Sequence, residues 1–156
     1  LIPLMIHHAL RRRPLPLYGD GKQVRDWLHV EDHCAGLRLA LRHGRPGEIY
    51  NLGGDAEMSN LDVVRSICRI LDRLRPEPDA PPRESLITFV EDRPGHDRRY
   101  AIDSTRIQRQ VGWRPSHDFS SGLQATVRWY LDNQDWVRRV TSGAYRGERL
   151  GRRQFD

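Results

Sequence analysis

The sequence predicts an α/β fold. Three observations carry that expectation. Short runs of strand-forming residues alternate with segments whose apolar residues recur at helical spacing, Gly and Pro mark the junctions, and no internal repeat or low-complexity tract interrupts the alternation. Leu1 to Leu10 reads as the tail of a helix, stopped by Pro14. Pro16-Leu17-Tyr18 is a short extended piece running into the turn signal Gly19-Asp20-Gly21. Val24 to Val30 alternates and is rich in strand formers, which predicts another strand. The period then changes. Val30, Cys34, Leu37 and Leu41 fall at helical spacing, with Glu31 and Asp32 in a first turn where the helix dipole favours acids.

Gly44 and Pro46-Gly47 end that helix, and Ile49 to Leu52 reads as a strand stopped by Gly53-Gly54. Ser59 or Asn60 can cap the next helix, whose apolar stripe is Val63, Ile67, Ile70, Leu71 and Leu74. Residues 76–83 form a Pro-rich loop, and Leu86 to Val90 reads as a further strand. Ser104 is placed to cap a short helix that runs through Val111 and is closed by Gly112. Phe119 to Val140 reads as one long amphipathic helix, and residues 142–156 are Gly- and Arg-rich without a period.

The 156 residues are enough for one domain. The chain does not begin with Met and opens on an apolar stretch with no cap ahead of it, which leads us to expect a fragment entered partway through an element. Net charge is +5, almost all of it from Arg, since Lys22 is the only lysine. An Arg-rich chain suits either nucleic acid or a small anionic ligand. Acidic residues are interleaved throughout, which suits solvated faces, and the four tryptophans mostly sit in strand or helix patterns rather than beside the Arg clusters, which disfavours a nucleic-acid-binding module. Cys34 and Cys68 both sit in helical apolar patterns and are expected to be reduced core residues. There is no apolar run of transmembrane length and no cleavable leader, so the expected location is cytoplasmic.

Several generic signals fail. The chain has no Gly-x-Gly-x-x-Gly fingerprint, no nucleophile elbow and no P-loop. His7-His8 and His33-Cys34 resemble metal ligands only by type, so no metal site is expected. Tyr18 and Lys22 match the Tyr-x-x-x-Lys spacing of a dehydrogenase pair. That chemistry needs both residues one turn apart on a helix, and a Gly-Asp-Gly turn separates them here. The informative stretch is the polar run from Asp92 to Arg99 between two apolar pieces. Arg93, His96, Arg98 and Arg99 could clamp an anion there, because a guanidinium offers paired charge-assisted hydrogen bonds to a diphosphate. A polar turn with surface ion pairs fits the residues equally well on chemistry alone.

The run Asp92-Arg93-Pro94-Gly95-His96-Asp97-Arg98-Arg99-Tyr100-Ala101-Ile102-Asp103 resembles a signature of the dTDP-glucose 4,6-dehydratases, extended short-chain dehydrogenase/reductases. Other pieces agree in order: Arg25-Asp26-Trp27-Leu28-His29-Val30-Glu31-Asp32-His33, Tyr50-Asn51-Leu52-Gly53-Gly54 and Gly112-Trp113-Arg114-Pro115. The resemblance runs over nearly the whole chain. It implies that residues 1–156 are the C-terminal sugar-nucleotide-binding domain, carrying the last strand or strands of a Rossmann parallel sheet. Residues 48–52 are the candidate for such a strand. The Rossmann part that binds NAD and holds the catalytic residues would lie upstream of Leu1.

By the same resemblance Arg25 and Arg93 bind the substrate's phosphates, and His96 contacts the nucleotide within the Asp92-Arg93-Pro94-Gly95-His96 loop. Pro16, Leu17 and Tyr18 line the base and ribose, Asn60 contacts substrate, and Tyr145 lies near the ligand. The implied substrate is dTDP-glucose and the implied reaction an internal redox dehydration. NAD takes a hydride from C4, water leaves across C5 and C6, and the hydride returns to C6. The intact enzyme is expected to be a homodimer with no nucleic-acid or membrane partner. A related nucleotide-sugar epimerase, decarboxylase or dehydratase with another base is the alternative within the family.

Overall fold

A computed structural model describes residues 1–143. Helix α1 (Ile2–Leu10) leads into strand β1 (Leu15–Tyr18), which lies parallel to strand β4 (Ile87–Val90) in register Leu15 to Ile87 and Tyr18 to Val90. Strand β2 (Val24–Asp26) pairs antiparallel with β3 (Glu57–Ser59). Helix α3 (Asn60–Leu74) packs between α1 and α5 (Phe119–Asp132). The core joins Met5, Ile6 and Ala9 of α1, Leu15 and Leu17 of β1, Val63, Val64, Ile67, Cys68 and Leu71 of α3, and Leu123 and Val127 of α5. The expected helix stripe of α3 therefore is the core face, because its apolar residues recur on one side over four turns. Ser59 caps α3 by accepting from the Asp62 N–H, and Asn60 is the first helical residue. A 3-10 turn (Arg83–Leu86) precedes β4.

Five expectations need correction. Only Val24–Asp26 of the Val24–Val30 run is strand. Asp26 turns its carboxylate to accept from the N–H groups of Gly54 and Ala56, and Trp27 bonds Met58 O, so the chain leaves the ladder there. Residues 48–52 form no strand among the described residues, because no second extended segment lies beside them to supply ladder hydrogen bonds. Helix α2 (Val30–His43) forms, yet its apolar stripe faces out: Val30, Leu37 and Leu41 are exposed, and Cys34 is exposed rather than core. Its buried residues are Asp32 and Gly36 instead. Gly36 is there because the helix meets Trp113 and Leu52: a Cβ would come 3.1 Å from Trp113 Nε1 and fall inside the Leu52 side chain.

Ser104 occupies the N-cap position of α4 (Thr105–Val111), but its hydroxyl accepts from Gly53 N–H at 2.8 Å, and Asp103 takes the Thr105 N–H instead. The long helix is two helices, α5 and α6 (Gln134–Thr141), broken at Asn133, whose φ of −114° lies outside the helical well. Asn133 Nδ2 caps the Trp129 carbonyl. The Pro-rich loop hides a feature with no sequence signal. Arg83 is fully buried and bonds Asp72, Glu77 and the Arg75 carbonyl, while Arg12 reaches Glu77 and Pro81 O from α1's end.

Candidate functional site

The polar run after β4 lies along β2. Val24 N–H donates to Arg98 O at 2.8 Å, Tyr100 N–H donates to Val24 O at 3.0 Å, and Val24 and Arg99 form a parallel bridge. This edge pairing brings Arg25 against the run. The Arg25 guanidinium donates from Nη2 to Asp97 O at 2.9 Å and from Nη1 to Val24 O at 2.6 Å. Its Cζ sits 4.3 Å from the centroid of the Tyr100 ring. The Tyr100 hydroxyl in turn donates to the Asp97 carboxylate, which raises the phenol's pKa; Arg25 and Arg93 oppose that shift, so both cations bear on the same ring. Flanking ion pairs, Arg98 with Asp20 and Arg99 with Glu57, tie the run to the turn after β1 and to β3.

Asp92 is the hub at the start of the run. Its Oδ1 accepts from Arg93 N–H at 2.8 Å and lies 2.6 Å from His96 Nδ1, while Oδ2 accepts from Gln23 Nε2 at 3.0 Å. The His96 hydrogen bond holds the Asp92 pKa below the usual carboxylate range. A carboxylate at Nδ1 places a ring proton there. The His96 side chain is only 5% exposed and meets the Tyr18 ring edge-on, with centroids 6.1 Å apart. Gly19 is needed at the β1 exit: φ is +57°, and a Cβ would come 2.8 Å from Asp92 Oδ2.

The residues expected at the site divide clearly. Tyr18 on β1 meets His96, and Arg25 on β2 meets Asp97 and Tyr100. Arg93 and Asp92 share a hydrogen bond, and Pro94 and Gly95 make the turn between them and His96, with Gly95 at φ +67°. Pro16 is half-buried; Leu17 points into the core, so only its main chain can meet a ligand. Asn60 sits where its N–H donates to Gln23 O, one residue beyond the cap. Tyr145 lies outside the described residues. Tyr18 and Lys22 are not on one helix: Tyr18 ends β1, and the turn with Gly19 and Gly21 at positive φ separates them. Sequence reasoning missed the holding residues Gln23, Asp97 and Tyr100. The last two stand in the quoted run itself, but nothing in their spacing signals a contact with Arg25.

Two other regions bear on ligands. A hollow of about 550 Å³ is lined by Ile2, His29, Glu31, His117, Trp129 and Trp136 among others, and shares no lining residue with the 92–100 run. Beside it, His29, Asp32 and His117 place ligand-type atoms within 4.8 Å of one another, a grouping the sequence spacing did not show. The Asp32 oxygens are already engaged: Oδ1 by the Ser116 N–H and hydroxyl, Oδ2 by the His117 N–H and ring. Burial opposes ionisation of Asp32, yet these hydrogen bonds outweigh it and hold its pKa well below the usual range. The cluster therefore ties the start of α2 to the residues ahead of α5, while the buried His29 Nδ1 has no hydrogen-bond partner among the described residues. No helix among the described residues is long and apolar enough to cross a membrane.

This geometry has close counterparts. The chain is 56% identical over 151 residues to a dTDP-glucose 4,6-dehydratase of Xanthomonas campestris pv. campestris, covering 97% of this chain and 43% of that protein. It is 55% identical over 153 residues to the dTDP-glucose 4,6-dehydratase of Neisseria meningitidis serogroup B. The chain thus spans less than half the length of these curated relatives. Among solved structures, the dTDP-glucose 4,6-dehydratase of Bacillus anthracis in complex with NAD superposes with a TM-score of 0.76 at 46% identity, over 87% of this chain and 40% of that one. The dTDP-glucose 4,6-dehydratase of Streptomyces venezuelae, crystallised with NAD and a second ligand, also gives 0.76, at 44% identity, over 87% of this chain and 39% of that one. The described fold is thus that of the extended short-chain dehydrogenase/reductase dehydratases. The sequence model of the GDP-mannose 4,6 dehydratase family matches residues 1–126, and the chain belongs to that family.

Proposed function

We propose that this chain is the sugar-nucleotide-binding portion of a dTDP-glucose 4,6-dehydratase. The observation that carries the reading is the pairing of β2 with residues 98–100, which sets Arg25 against the Asp92–Tyr100 run that supplies Arg93 and His96. Arg25 and Arg93 supply cationic donors for the two phosphates, and His96, as the imidazolium with both ring nitrogens protonated, donates from Nε2 to complete the grip. Tyr18 and the outward atoms of Pro16 flank the base and ribose, with Asn60 on the substrate side. Such remote binding orients a sugar whose reaction takes place elsewhere, and can be used to support the chemical step.

The described residues hold no Tyr-Lys pair on one helix, and the sequence has no Gly-x-Gly-x-x-Gly turn for a dinucleotide. NAD and proton transfer at C4 therefore fall to residues other than these. For the whole enzyme, NAD dependence, conversion of dTDP-glucose to its 4-keto-6-deoxy product, a homodimer and a cytoplasmic location belong to the same proposal.

Calorimetric titration of the chain with dTDP tests the reading. The wild-type chain is expected to bind, and Arg25→Ala or His96→Ala to weaken binding about 10- to 100-fold, as loss of a charge-assisted contact does. The same chain is expected to give no 4-keto-6-deoxy sugar from dTDP-glucose. Binding that is equal for both variants and the wild type, or turnover by the chain itself, contradicts the assignment.

A further inference from the structure

We infer that Tyr100 is a positioning residue for Arg25, with Asp97 as its latch, so that a guanidinium already fixed in place meets the diphosphate. The inference rests on the proposed role of Arg25 and adds a role for two residues outside the expected ligand set. Four contacts argue for it. Arg25 Nη2 donates to Asp97 O at 2.9 Å, Nη1 donates to Val24 O at 2.6 Å, and Cζ lies 4.3 Å over the Tyr100 ring. The Tyr100 hydroxyl bonds the Asp97 carboxylate, so one residue holds the ring by its side chain and the guanidinium by its carbonyl. The main chain that carries the ring is held to β2 as well, because Tyr100 N–H donates to Val24 O.

A guanidinium has five N–H donors, and two are used in these contacts. The others remain for phosphate oxygens. An arginine side chain in water samples many rotamers, and ordering it on binding costs affinity; fixing it beforehand removes that cost. A lysine would not serve, since only a planar cation both stacks on a ring and keeps a fork of donors. Tyr100 itself is 49% exposed, so the chain does not use it as core. A large, half-exposed aromatic ring under a cation, latched at its hydroxyl, is accounted for by the cation it carries.

The test is a double-mutant cycle on the chain, read by titration with dTDP. Tyr100→Leu is expected to weaken binding about five-fold, Tyr100→Phe about two-fold because the ring remains but its latch to Asp97 is lost, and Tyr100→Leu to add nothing in the Arg25→Ala background. A loop merely loosened by the substitution would lose affinity in both backgrounds. Nuclear magnetic resonance of the unliganded chain gives a second reading. The Arg25 side-chain protons should be shifted by the ring current in the wild type, less so in Tyr100→Phe, whose ring has lost its latch, and unshifted in Tyr100→Leu. Tyr100→Leu that leaves either affinity or the Arg25 shifts unchanged, or that costs equally in both backgrounds, overturns the assignment while the diphosphate site stands. A wild-type chain that fails to bind dTDP removes the site and this role together.

Discussion

A buried carboxylate costs free energy unless donors surround it, and Asp32 shows how that cost is met. At 3% exposure it engages the N–H groups of Ser116 and His117, the Ser116 hydroxyl and the His117 ring. Its folded-state pKa is depressed below the ordinary value of about 3.9, so its contribution is present above about pH 4 and is lost as pH falls through the folded pKa. Asp32→Asn should therefore be less stable than the wild type by about 2 kcal/mol at pH 7, with the gap narrowing below about pH 4. Denaturant titrations at several pH values check this, and a gap that stays constant down to pH 2 contradicts it. The sequence placed Asp32 at a helix start, where the dipole alone accounted for an acid. Its burial depends on residues 116–117, more than eighty positions away, which no local pattern encodes. The buried Arg83 was equally hidden, since nothing in the spacing of its partners Asp72 and Glu77 marks a buried ion pair.

At the scale of elements, helical period gave α1, α3 and α5 directly, because each buries one face against the others and the apolar stripe records that face. The same signal misled at α2. Its stripe of Val30, Leu37 and Leu41 is real, but the face packed within the described residues is the one bearing Asp32 and Gly36. Gly36 supplies the test. An alanine in a helix interior ordinarily stabilises by about 1 kcal/mol over glycine. Gly36→Ala should instead destabilise by about 1–3 kcal/mol, because the new methyl must displace Leu52 and crowd Trp113. Thermal melting of the variant decides the sign, and a raised midpoint contradicts the packing of α2 on Trp113. Residues 48–52 were misread for a related reason: strand propensity marks a chain able to pair, and pairing needs a neighbour. The break at Asn133 left no mark in the apolar period, since Trp136 and Val140 keep helical spacing across it.

The molecule as a whole places its candidate site at the junction of its two small sheets. The parallel β1–β4 pair delivers Tyr18 and the start of the 92–100 run, the β2–β3 pair delivers Arg25, and the run crosses from one to the other. The candidate members were gathered by the resemblance of one polar run plus one Arg on a strand, since on chemistry alone that run read equally well as a polar turn. The supports were not, because Gln23 to Asp92 and Arg25 to Asp97 are contacts between segments about seventy residues apart. Away from the site, Val30, Leu37, Leu41 and Ile49 leave an exposed apolar surface along α2 and the segment after it. A surface of that kind is ordinarily an interface.

The most direct measurement is a crystal structure of this chain with dTDP. The account predicts the diphosphate held by the Arg25 and Arg93 guanidinium groups and His96 Nε2, each within hydrogen-bonding distance, with the Tyr100 ring still beneath Arg25. Diphosphate density lodged elsewhere, with those three side chains turned away from it, would contradict the account.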